Sequence, residues 1–290
     1  MPELPEVETV RRELAPWLTG RTVLAAERLA PPGPKYRDLE RSVGQTIERV
    51  ERRGKFLILP LSGGDEMILH LGMTGVVSSV VAGEGAGEGA GEVAAGPPAG
   101  GAPTHVRVRL RLSGDPPSCL HFRDARRFGR MLVVRAGAYD GLPTLARMGP
   151  EPLSGAFTLA RFRRELARSG TAIKTYLLSQ RPVAGVGNIY ADEALWRARV
   201  HPETPARRVS RAKAAALRSA VREVLLASIE AHGTTLNDYR TVNGEVGAYL
   251  EQLAAYGHAE EPCPRCGALL RRSVVGQRGT VYCPRCQRRR

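Results

Sequence analysis

Four cysteines near the C-terminus constrain the fold of this chain more than any other feature. Cys263-Pro264-Arg265-Cys266 and Cys283-Pro284-Arg285-Cys286 are two C-x2-C pairs with sixteen residues between them. That spacing belongs to four-cysteine zinc sites, where four thiolates close a tetrahedron and leave no open position. Disulfides are rare in a reducing cytosol, so zinc is preferred. One structural Zn2+ is expected, and no organic cofactor. Between the pairs, 269–275 and 280–282 read as two strands. The turn Gly276-Gln277-Arg278-Gly279 puts Arg278 at its tip, where a metal-pinned hairpin would hold the guanidinium for a phosphate. Cys119 reads as a small buried hydrophobe.

The charge balance points to a polyanion. Lys and Arg number 43 against 29 Asp and Glu, a net +14. Residues 1–150 carry 20 basic and 17 acidic side chains, while 151–290 carry 23 and 12. A basic C-terminal half suits nucleic acid. No run approaches the roughly 20 apolar residues of a membrane span, and no secretory signal precedes the charged N-terminus. The expectation is a cytoplasmic protein in a bacterial-type cytosol, associated with the nucleoid and not with membrane. Nothing indicates a symmetric interface, so a monomer is expected. Only four lysines occur, Lys35, Lys55, Lys174 and Lys213.

The N-terminus is Met1-Pro2-Glu3-Leu4-Pro5-Glu6. Removal of Met1 before small Pro2 would leave a secondary amine, and an α-amino group titrates near pH 7.7–8.0. Pro2 is thus a candidate nucleophile with the carboxylates of Glu3 and Glu6 beside it. Pro5 can open a helix, and Val7, Val10, Leu14 and Leu18 recur at helical spacing. Read locally, the same six residues are also an ordinary helix start.

Short apolar or alternating runs follow at 22–29, 46–50, 56–61, 67–71, 105–112, 119–122 and 131–134. They read as strands of an antiparallel sheet or sandwich. Lys55 heads one of them, and Met73 lies in the turn Leu71-Gly72-Met73-Thr74-Gly75. Residues 82–103 are Gly-Glu-Gly-Ala repeats, expected as a flexible surface loop. In Arg126-Arg127-Phe128-Gly129 an aromatic stands among arginines. That suits either stacking on nucleic acid or a core ring under a solvated basic loop. After a linker at 136–150, the pattern turns helical at 158–168, 172–178, 188–199 and 210–232. Ser210 is the expected N-cap of the last helix and Gly233 its stop. Gly185-Val186-Gly187-Asn188 opens the third, where Asn188 could cap and a phosphate could bind. A polar loop at 241–247 could touch a substrate.

Taken together, the chain resembles the formamidopyrimidine-DNA glycosylase family. The likeness rests on Met1-Pro2-Glu3-Leu4-Pro5-Glu6-Val7-Glu8-Thr9-Val10, His70-Leu71-Gly72-Met73-Thr74-Gly75, Arg126-Arg127-Phe128-Gly129, Gly185-Val186-Gly187-Asn188-Ile189-Tyr190 and the cysteine hairpin with Gln277-Arg278. It spans nearly the whole chain. Leu4 favours this branch over the endonuclease VIII-like sister group, which usually has Gly there.

The resemblance implies an α+β multidomain fold: an N-terminal β-sandwich with flanking helices over 1–135, a helix–two-turn–helix domain over 151–255 and a zinc finger over 256–290. It implies excision of oxidised purines such as 8-oxoguanine and formamidopyrimidines from duplex DNA, followed by lyase action at the abasic site. It assigns attack on C1′ to Pro2, protonation of the opening sugar to Glu3 and a supporting role to Glu6. Lys55 would be the proton donor for β-elimination and Arg278 for δ-elimination. Met73, Arg126 and Phe128 would fill the space left by the everted nucleotide, with Arg126 facing the opposite base, and His105, Lys174, Asn188 and Arg278 would touch DNA. Two departures stand out, the long 82–103 segment and Arg168-Ser169-Gly170 in place of a more basic run. The alternatives are an endonuclease VIII-like glycosylase for oxidised pyrimidines and a non-catalytic zinc-dependent DNA-binding protein.

Overall fold

A computed structural model of the chain describes residues 1–80, 104–234 and 247–289. The 82–103 segment and nearly all of the 241–247 loop lie outside these residues. The architecture is α+β. The chain divides into two compact units. The first comprises residues 1–2, 6–141 and 232–248; the second comprises 3–5, 142–231 and 249–290.

The first unit is a β-sandwich. Strands β1 (Val23–Arg28), β6 (Val106–Leu112), β7 (Cys119–Asp124) and β5 (Gly75–Val80) form one antiparallel sheet in that order. Strands β2 (Glu51–Arg53), β3 (Phe56–Pro60), β4 (Asp65–His70) and β8 (Arg130–Arg135) form the other. Alternation sets the faces: Val108, Leu110 and Leu112 of β6 are buried, while Arg109 and Arg111 between them are exposed. Helix α1 (Leu4–Leu18) adds its stripe of Val7, Val10, Leu14 and Leu18 to the same core.

Three strand expectations change, since β2 forms just beyond the expected 46–50 run. No strand forms at 46–50. Ile47 exchanges backbone hydrogen bonds with the 20–21 turn, and Glu48 N then turns to Pro60 O, so no single partner sustains a ladder. Strand β5 was hidden because its apolar run merges into the small-residue segment behind it.

The second unit is mainly helical. Its core gathers Phe157, Phe162, Tyr190, Leu195, Leu217 and Leu225 with Leu4 from the start of the chain. Helices α3 (Leu159–Ala167) and α6 (Arg211–Glu230) begin at Thr158 and Ser210. Each hydroxyl accepts the amide three residues on, at 3.2 and 3.3 Å, a cap worth about 1 kcal/mol. Between them lie α4 (Ile173–Leu178) and α5 (Asn188–Ala198). The expected linker holds a short helix, α2 (Pro143–Ala146), opened by Pro143 in its first turn. Strands β9 (Arg271–Val275) and β10 (Arg278–Tyr282) form the C-terminal hairpin. Among the described residues, no helix is long and apolar enough to cross a membrane.

Candidate functional site

In the second unit the site is built around the N-terminus of α5. The helix has Gly187 at its N-cap position and no side-chain cap of its own. Glu3 supplies one from the other end of the chain. Its carboxylate accepts the amides of Gly187 at 2.5 Å and Ile189 at 3.0 Å, and the residue is 2 % exposed. The bonds satisfy two orphan donors and set a negative charge at the positive end of the helix dipole. Leu4 N donates to Gly185 O at 3.1 Å. Gly185 has φ +81, and a Cβ there would run into the Leu4 side chain. The glycine-rich turn therefore clasps the first residues of the chain, and the expected phosphate position is already filled by Glu3. Asn188 does not cap; its Nδ2 donates to Gly279 O at 3.1 Å.

Lys174, the expected DNA contact, lies between α4, α5 and the C-terminal hairpin. It is fully buried, and its Nζ lies 2.7 Å from Asp192 Oδ1. The same ammonium donates to Gly279 O at 2.9 Å and Thr280 Oγ1 at 2.8 Å. Asp192 Oδ2 accepts Val281 N at 3.0 Å. Burial pulls Lys174 down and pushes Asp192 up to about 6, each against the attraction of the other. The pair thus fastens the start of β10 to α4 and α5.

Arg278 is exposed but does not sit at the turn's tip. Val275 pairs with Arg278 across the hairpin, and Gly276 and Gln277, at φ 56 and 63, form the two-residue turn. Positive φ at both positions marks the primed turn that matches strand twist. Below it, the four cysteine Sγ atoms lie within 4.8 Å of one another. A tetrahedron with Zn–S arms of about 2.3 Å has edges of roughly 3.8 Å, so the cluster fits one zinc ion. Trp196 Nε1 donates to Cys263 Sγ at 3.4 Å, and the Arg265 guanidinium stacks 4.1 Å from the Trp196 ring centre. These outer contacts orient the thiolates. The four cysteines hold one structural zinc.

In the first unit Pro2 is buried and Met1, before it, is exposed. Glu6 is 2 % exposed and accepts Thr234 N at 2.8 Å. Lys55 is buried in the turn joining β2 to β3, after Gly54 at φ 56. Opposite Phe56 stands His70, their rings 4.7 Å apart. Burial, then the charges of Arg130 and Lys55, push His70 down to about 3, so its ring is neutral at ordinary pH. Its Nδ1 accepts Gly72 N at 3.1 Å, which leaves the proton on Nε2. Neighbourhood to Lys55 makes His70 a functional candidate that sequence reasoning passed over. The strand register is what brings the two together.

Met73 is half-buried; Arg126 and Phe128 are exposed, with Phe128 at 48 %. The Phe128 ring has the Arg126 guanidinium 5.0 Å and Lys35 Nζ 5.7 Å from its centre. This ring lies outside the core, which removes the structural alternative for it. His105 is exposed at φ 67, one residue before β6.

Residues 1–131 match the formamidopyrimidine-DNA glycosylase N-terminal domain, 148–240 the H2TH domain of the same proteins, and 260–289 the zinc finger found in FPG and IleRS. The chain belongs to the formamidopyrimidine-DNA glycosylase family. It is 45% identical to the formamidopyrimidine-DNA glycosylase of Thermus thermophilus, covering 99% of this chain and 98% of the relative. With that of Deinococcus radiodurans the identity is 43%, over 99% and 97%. The crystal structure of the Thermus thermophilus MutM (Fpg) protein superposes with a TM-score of 0.85 at 43% identity, covering 99% and 98% of the two chains. A point mutant of Lactococcus lactis FPG, solved with a Fapy-dG containing DNA, gives 0.83 at 31% identity, over 99% and 100%.

Proposed function

We propose that this family member is a bifunctional glycosylase and AP lyase of base excision repair, acting on oxidised purines in duplex DNA. The observation that carries the reading is the clasp on Glu3. It fixes the backbone directly after Pro2, so a nucleophile there would be held and not frayed. The relatives' names and their complexes with damaged DNA support the substrate class.

Once Met1 is removed, the Pro2 nitrogen attacks C1′ of the everted nucleotide, and the glycosidic electrons leave with the base. Glu3 takes up the proton that the Pro2 nitrogen loses and passes it to the ring oxygen as the sugar opens, and C1′ becomes an iminium carbon. That cation acidifies the hydrogens at C2′. Loss of one expels the 3′ phosphate, and a second elimination expels the 5′ phosphate, with Lys55 and Arg278 as the respective proton donors. Hydrolysis then releases Pro2. Glu6, through Thr234, holds the region beside the nucleophile. Met73, Arg126 and Phe128 fill the vacated stack, and His105, Asn188 and Arg278 grip the backbone. Lys174 serves DNA through Gly279 and Thr280, not by direct contact. The zinc takes no part in these steps; it holds the hairpin. The protein acts as a monomer at the nucleoid.

Borohydride reduction of the iminium tests this. Wild-type protein with duplex DNA holding one 8-oxoguanine should give a covalent adduct, absent in Pro2→Gly and in protein with a blocked N-terminus. DNA binding with no adduct from the wild type would instead mean a non-catalytic binder.

A further inference from the structure

The two loops that carry Met73, Arg126 and Phe128 share one buried carboxylate. Asp124, the last residue of β7, is fully buried. Its Oδ1 accepts the Thr74 hydroxyl at 2.6 Å, and its Oδ2 accepts the Gly129 amide at 2.6 Å. The Thr74 oxygen in turn accepts the Arg126 amide at 3.2 Å. A single chain of hydrogen bonds therefore runs from one side of the Phe128 loop, through the Met73 turn, to the other side. The anchor itself is fixed to the sheet: Asp124 N donates to His105 O at 3.1 Å, and Asp124 O accepts Arg107 Nε at 2.8 Å.

Backbone packing reinforces the link. A Cβ on Gly72, at φ +66, would strike the Gly129 nitrogen and the Phe128 carbonyl carbon. A Cβ on Gly129 would come within 2.7 Å of the Phe122 ring and 2.9 Å of His70 O. The loops meet main chain against main chain. Lys35 closes the outer side by donating to Arg127 O at 2.5 Å.

We propose that Asp124, acting through Thr74, is a positioning residue that makes the Met73 turn and the Arg126–Phe128 loop one rigid wedge. The wedge then enters the DNA stack as a unit, and the guanidinium facing the opposite base keeps a fixed distance from the other two side chains. This rests on the reading above that these three side chains fill the vacated space. A carboxylate suits the task because it offers one acceptor to each loop, and charge-assisted bonds resist their separation. Thr74 can be changed without touching the carboxylate, which makes the idea testable.

The test compares Thr74→Val, Thr74→Ser and Asp124→Asn with Arg126→Ala and Phe128→Ala. The readouts are single-turnover 8-oxoguanine release opposite C and opposite A, nicking of a preformed abasic site, fluorescence of 2-aminopurine beside the lesion, and melting temperature. Thr74→Val should release 8-oxoguanine about tenfold more slowly, with a narrowed C-to-A ratio and a delayed 2-aminopurine rise. It should nick abasic DNA within about threefold of wild type, because no stacked base has to be displaced there. Thr74→Ser, which keeps the hydroxyl, should behave as wild type. If Thr74→Val keeps both rate and ratio while Arg126→Ala and Phe128→Ala lose them, the wedge stands and the role of Asp124 is refuted. Equal losses of base release, abasic nicking and melting temperature would also refute it, since Thr74 would then be merely structural. If Arg126→Ala and Phe128→Ala are themselves inert, the underlying reading fails.

Discussion

Replacing Lys174 by Met removes one partner from an ion pair whose side chains are 0% and 1% exposed. The Asp192 carboxylate would keep the Val281 amide and lose its counter-charge. Stranding a buried charge in this way costs about 3–5 kcal/mol. Gly279 O and Thr280 Oγ1 lose their donor as well, so the upper part of that range applies. The second unit holds about 135 residues, and at this size each kcal/mol moves the melting point by roughly 3–4 °C. Lys174→Met should therefore melt roughly 12–20 °C lower by scanning calorimetry. The double variant Lys174→Met/Asp192→Leu should recover most of that loss, because it removes both desolvation penalties together. A single variant melting within about 3 °C of wild type, or a double variant no better than the single, would refute the buried-charge account.

Acid stability should depend on Glu8. Burial alone would raise its carboxyl, but hydrogen bonds and charge from Arg11 and Arg52 outweigh that and bring it down to about 2. Since the folded value lies below the ordinary 4.5, the stabilisation is complete above about pH 4.5 and disappears as pH falls through about 2. Denaturant titrations should show up to about 3 kcal/mol lost across that window, and Glu8→Gln should flatten it; parallel curves for the two proteins would exclude the idea. Gly72→Ala should cost more than about 2 kcal/mol by chemical unfolding, from left-handed strain and the collision with Gly129; a neutral result would show that the loops can move apart. In Trp17→Phe protein, Trp196 is the sole indole, and its fluorescence should change in step with zinc removal by a chelator, because its N–H meets Cys263 Sγ. Emission that ignores the metal would refute that contact.

What could be read from the sequence was local. The cysteine spacing identified a metal site because its ligands lie within a few residues of one another in each pair. Val7, Val10, Leu14 and Leu18 marked α1 by period alone, and all four are buried. Thr158 and Ser210 announced helix starts because a cap is decided by three neighbouring residues. Long-range partnerships were illegible. Nothing near Gly187 says that its cap is Glu3, and nothing near Lys174 says that Asp192 and Thr280 enclose it. His70 became interesting only through the register that sets it across from Phe56. The resemblance named Met73, Arg126 and Phe128, but only the fold brings Asp124 to both of the loops carrying them. The absence of a strand at 46–50 has the same origin, since backbone partners on both sides decide whether an apolar run becomes a strand.

The clasp between Glu3 and α5 also has a practical side. Glu3 is synthesised well before the groups it binds, since Gly187 and Ile189 follow it by more than 180 residues. At about 5–20 residues per second that is roughly 10–40 s. Throughout that interval the N-terminal segment lacks the amides that will hold it. Anything fused ahead of Met1 would crowd this late closure, so an affinity handle is better carried on the arginine-rich tail.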